Sequence, residues 1–170
     1  QPASPATIQQ LASKRSRQPG RRILLRIIRD EINATLFNSN SRLAAAESKI
    51  ASMRQQCPPP TYGEQTSACA ALLEQAARCA EVVARVRAEI VPKAQAVMAD
   101  IGTCLDSLDN LSSDIDAATQ PPGPSQQQAD DLLNRDSDND GCANGIKGRA
   151  DGIKTQAQSA LGGSACSVTQ

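Results

Sequence analysis

Apolar residues recur along this chain at helical spacing, and their seams divide it into a small number of long elements. Ile32, Leu36, Leu43, Ala46, Ile50, Met53 and Cys57 follow one another in steps of three and four, with Ser39 filling a slot, and predict a first helix over about 22–56. The stretch Asn38-Ser39-Asn40-Ser41 is where this helix would bend, because such side chains compete for backbone hydrogen bonds. Cys57-Pro58-Pro59-Pro60 ends it, since consecutive prolines remove backbone donors and push the preceding residue out of the helical region.

A second seam starts near Thr66 or Ser67 and runs through Cys69, Leu72, Ala76, Cys79, Val83, Val86 and Ile90. Beyond Pro92 it resumes at Val97, Ile101, Cys104, Leu108, Leu111 and Ile115. No Gly, Asn or Asp flanks Pro92 to form a turn, so a helix over about 66–118, kinked at Pro92, is favoured over one broken there into a tight hairpin. Gln120-Pro121-Pro122-Gly123-Pro124 is a firm break. A short helix over about 125–134, capped by Ser125, comes next, then an acidic loop over 136–141. A final helix over about 143–161 is weakened by Gly145, Gly148 and Gly152.

Residues 1–20 are rich in Gln, Ser, Pro and Arg without an apolar repeat to order them, and predict a flexible basic arm. The remainder, 21–170, is expected to form a single helical domain, which suits a chain of 170 residues. Tyr62 and Phe37 are the only aromatics, so the core must be built from Ala, Leu, Ile and Val, which favours close helix packing. The fold class expected is all-α: an elongated, disulfide-stapled helical bundle with long coiled-coil-like helices.

Cys57, Cys69, Cys79, Cys104, Cys142 and Cys166 are even in number, form no CxxC pair and have no histidine to complete a zinc site. Three disulfides are therefore expected, and with them an extracellular setting. Sequence proximity favours Cys57 with Cys69, Cys79 with Cys104, and Cys142 with Cys166. Gln1-Pro2 resembles what removal of a signal peptide leaves, and the sequons at Asn33 and Asn110 are candidate glycosylation sites in a secreted protein. Lys14-Arg15 is a candidate processing site.

Formal net charge is zero, yet residues 1–54 hold ten Lys or Arg against three acids and residues 55–170 hold eight against fifteen. This sorting can serve contacts within the chain, between copies, or with an anionic surface. The run Arg21-Arg22-Ile23-Leu24-Leu25-Arg26-Ile27-Ile28-Arg29 could lie on a membrane surface, but it leads into the first seam and reads more simply as a packed helix. Nucleic acid is not an expected partner, because the basic segment lacks interleaved aromatics.

Asp136-Ser137-Asp138-Asn139-Asp140-Gly141 resembles the opening of calcium loops such as those of EF-hands, dockerins and thrombospondin type 3 repeats. The resemblance implies calcium held by Asp136, Asp138, Asp140 and Asn144, although Lys147 stands where an EF-hand has its bidentate Glu. Catalysis has little support: no histidine is present for a Ser-His or Cys-His dyad, and no phosphate-binding loop appears. The function expected is a non-enzymatic structural or assembly protein whose partner is another protein or itself. A carrier of a small apolar ligand and a calcium-binding module are the alternatives.

Overall fold

The computed structural model describes residues 1–166 and is all-α. Helix α1 spans Pro5–Gln56, α2 spans Ser67–Arg85 and α3 spans Val91–Ala118, joined to α2 by a π-helical stretch, Val86–Ile90; α4 spans Gln126–Leu161. By its internal contacts the chain divides into two compact units, each built from two separate stretches of sequence. Unit 1 comprises Gln1–Glu31 and Ala96–Ala150, and unit 2 comprises Ile32–Gln95 and Asp151–Gln170. Residues 167–170 lie outside the described residues.

The junction at Pro92 is continuous, as the absence of turn residues implied. Proline has no N–H to return to the preceding turn. The helix absorbs that loss just before the ring, where the Val91 N–H reaches back to the Val86 carbonyl in the wider π register. Thr66 starts α2 by accepting the Cys69 N–H on its hydroxyl at 3.2 Å. At the other turn, Gly123 takes φ +91, open only to glycine at little cost, and its N–H donates to the Gln120 carbonyl.

Two expectations are corrected. The arm over 1–20 is helical from Pro5, and the expected helices over 125–134 and 143–161 are one, with the acidic segment 136–141 inside it. Both corrections have one cause. In α1 the buried positions Leu11, Gln18, Leu25 and Ile32 recur every seven residues, so the seam begins far upstream of Arg21 with a polar residue in one slot. In α4 the buried positions Ala129, Leu132, Asp136, Asn139, Ala143, Ile146, Ala150, Ile153 and Ala157 alternate by three and four, again with polar residues in two slots. The Gln18 slot of α1 is filled against Asp136 of α4, while Asn139 turns to the Ser107 carbonyl of α3.

In unit 1, Leu11, Leu111, Ile115, Ala129 and Leu132 form a buried cluster drawn from α1, α3 and α4. Each large aliphatic side chain fully buried there contributes about 1.5–3 kcal/mol, enough to carry α1 through Pro19, which lies on its exposed face. Gly141, Gly145 and Gly148 do not break α4, because all three face solvent and leave the packing seam uninterrupted. In unit 2 the buried positions of α1 are Ile32, Ser39, Leu43, Ala46, Ile50 and Met53, and those of α2 and the π stretch are Ala76, Cys79, Val83, Val86 and Ile90. The end of α4 is held there by Arg42, whose Nη2 donates to the Leu161 carbonyl at 2.7 Å.

Candidate functional site

Asp136 lies at the centre of unit 1 and is 3% exposed. Its Oδ1 accepts hydrogen bonds from Gln18 Nε2 at 2.8 Å and Arg21 Nη1 at 2.5 Å, while Lys14 Nζ stands 4.0 Å from Oδ2. The other guanidinium nitrogen of Arg21 reaches Asp140 Oδ1 at 3.4 Å, and the Asn139 amide donates to the Ser107 carbonyl at 3.3 Å. A buried carboxylate persists only when it is paired and hydrogen-bonded, and here two donors on α1 meet that need.

This arrangement changes the meaning of the acidic motif. On a helix, residues four apart share a face, so Asp136 and Asp140 project together while Asp138 points away from them. Asp138 and Asn144 are exposed, and the cation held between Asp136 and Asp140 is the Arg21 guanidinium. Among the described residues, no group of three or more His, Cys, Asp or Glu stands close enough to share a metal.

The sorted charge is largely used within unit 1. Arg15 donates twice to Asp116, at 2.9 and 3.2 Å; Arg22 pairs with Asp109, Arg135 with Asp114 at 2.7 Å, and Arg149 with Asp100 at 2.5 Å. Hydrogen bonding to Arg15 holds the Asp116 carboxyl below the usual aspartate range and raises the guanidinium in turn. Asp114 and Asp116, two residues apart on α3, are thus each engaged by a different arginine.

A remainder is left over. Among the described residues, Arg17, Arg26 and Arg29 of α1 form no ion pair, nor do Asp106, Asp131 and Asp138 of α3 and α4. Beside these arginines, Ile23, Leu24 and Ile27 are 58%, 40% and 49% exposed. Their places on the helix, opposite or flanking Leu25 and Ile28, explain why: the core face is already filled, and these three aliphatic side chains do not serve it.

The disulfides are Cys57–Cys69, as expected, with Cys79–Cys166 and Cys104–Cys142 replacing the other two expected pairs. Cys79 and Cys104 lie on one continuous helical run and so cannot meet. Asn33 and Asn110 are both exposed on helices. In unit 1 a cleft of about 300 Å³ is bordered mainly by polar side chains, among them Arg15, Gln18, Arg22 and Asp109. A second of about 300 Å³ has the Asp100–Arg149 pair beside Cys142 and Ile146. No helix among the described residues is long and apolar enough to cross a membrane.

Gln18, Arg21 and Lys14 were not legible as core residues from apolar periodicity. The seven-residue recurrence of Leu11, Gln18, Leu25 and Ile32 was the signal that could have found them. No family model, curated protein or solved structure matches this chain.

Proposed function

We propose that this chain is a secreted, non-enzymatic assembly protein that associates with copies of itself. The observation that carries this reading is the exposed aliphatic group Ile23, Leu24 and Ile27, set beside unpaired Arg17 and Arg26 on a helix whose inner face is already packed. Unit 1 also supplies the complementary charge, in the unpaired Asp106, Asp131 and Asp138. An exposed basic, apolar stretch of α1 and unpaired surface aspartates on the same unit suit contact between two copies, with charge setting orientation and aliphatic burial supplying affinity. Three intramolecular disulfides support secretion, since such bonds persist in oxidising compartments.

Sedimentation velocity of the full chain across a wide concentration range, at low and high salt, tests the reading. Association that strengthens with concentration, weakens with salt and is abolished by Ile23→Asp with Ile27→Asp is expected. A strict monomer at the highest concentration, or association untouched by that double variant, overturns it.

A further inference from the structure

In unit 2 the segment between α1 and α2 presents a group of side chains that the fold does not use. Pro58, Pro59, Pro60, Thr61, Tyr62, Gly63 and Glu64 are all exposed, and Tyr62 is 92% exposed. A single proline after Cys57 would suffice to stop α1, so the second and third prolines and the tyrosine need another explanation. Each proline fixes its own φ and forces the residue before it into extended geometry, so the triplet is committed to the polyproline II conformation before any partner arrives. Among the described residues only its Pro58 carbonyl has a donor, Gln65 Nε2 at 3.1 Å.

The loop is also closed at its base. The Cys57–Cys69 disulfide holds the two ends with their Cα atoms 5.4 Å apart, and Gly63, at φ +76, turns the chain immediately after Tyr62. The aromatic ring therefore leaves the loop at a constrained point, next to the prolines, with no contact to bury it. Ordering a peptide is a large part of the cost of binding it, and here much of that cost is met in advance.

We propose that Pro59-Pro60-Thr61-Tyr62 is a recognition loop for a partner protein with an aromatic-lined groove that binds polyproline II ligands. Two prolines followed two positions later by tyrosine is the arrangement that grooves of the WW type take, the prolines stacking on aromatic rings and the tyrosine filling a neighbouring pocket. In a secreted setting the groove belongs to an extracellular protein, and a WW domain serves as the probe of whether the loop is presented in bindable form. This surface lies in unit 2 and is independent of the self-association assigned to unit 1.

The test is a titration of the oxidised full chain into a purified WW domain that prefers Pro-Pro-x-Tyr peptides. The chain contains no tryptophan, so fluorescence of the domain's groove tryptophan reports binding without interference. Saturable binding is expected, lost by at least about tenfold in Tyr62→Ala and in Pro60→Ala and unchanged in Phe37→Ala, the other exposed aromatic. Circular dichroism identical to the parent's is expected for all three. No saturable binding by the domain, or equal binding by Tyr62→Ala, overturns the proposal.

Discussion

Unit 1 and unit 2 solve the same packing problem with different chemistry. In unit 1, Lys14, Arg15, Arg21 and Arg22 of α1 reach aspartates of α3 and α4, and Arg135 and Arg149 of α4 reach aspartates of α3. One disulfide, Cys104–Cys142, accompanies them. In unit 2, Arg87 of the π stretch pairs with Glu47 of α1, and two disulfides accompany buried slots that are almost all apolar. The difference teaches that charge sorted along a chain can act inside one compact unit, choosing which helix faces which, while covalent closure serves where the apolar layers are uniform.

The largest expected effect is in unit 2. Cys79–Cys166 closes a sequence separation of 87 residues, and removing it as Cys79→Ala with Cys166→Ala should lower stability by about 4 kcal/mol in urea titrations. Loss below about 1 kcal/mol would show that the apolar layers alone hold this unit. Next comes the polar layer of unit 1. Asp136→Ala leaves Arg21 and Gln18 without their shared acceptor and should cost about 3 kcal/mol. Replacing Asp136, Gln18 and Arg21 together by Leu should recover most of that loss, because well-packed apolar residues are often as stable as a buried ion pair. A triple variant as damaged as the single one would contradict the view that the layer selects partners more than it stabilises them.

Smaller effects sharpen the same contrast. Gly148→Ala meets no neighbour and should stabilise α4 by about 0.5–1 kcal/mol through helix propensity alone, read as a rise in thermal midpoint. Smallest is the exposed Arg15–Asp116 pair. Its bonding depresses the Asp116 pKa, so its contribution is complete above the unfolded-state value and is lost as pH falls through the folded-state value. In carboxyl NMR titrations, Arg15→Gln should return Asp116 to the ordinary aspartate range with no measurable change in urea midpoint.

Where apolar spacing was unbroken, the fold was legible: the α2 seam from Cys69 to Ile90, the stop at the three prolines and the continuity through Pro92 follow directly from it. What escaped were the two segments that are each other's partners. A Gln and an Arg on α1 occupy core or core-flanking slots only because an Asp on α4 waits opposite, and neither side looks like core when read alone. The acidic motif was expected as a loop because its residue types resemble the opening of calcium loops; it is helical, and Asp136 and Asp140 face the Arg21 guanidinium. Glycines on the outer face of α4 lowered its local propensity without touching the seam that decides its packing. Disulfide pairing was illegible beyond Cys57–Cys69 because it follows from which helices are neighbours.

Hydrogen exchange resolved by mass spectrometry, comparing the parent with Asp136→Ala, tests most directly the claim that the polar layer belongs to unit 1 alone. Faster exchange confined to peptides covering 8–28 and 129–146, with 43–57 and 67–85 unchanged, is the predicted result. Equal acceleration in both sets, or none in either, would contradict it.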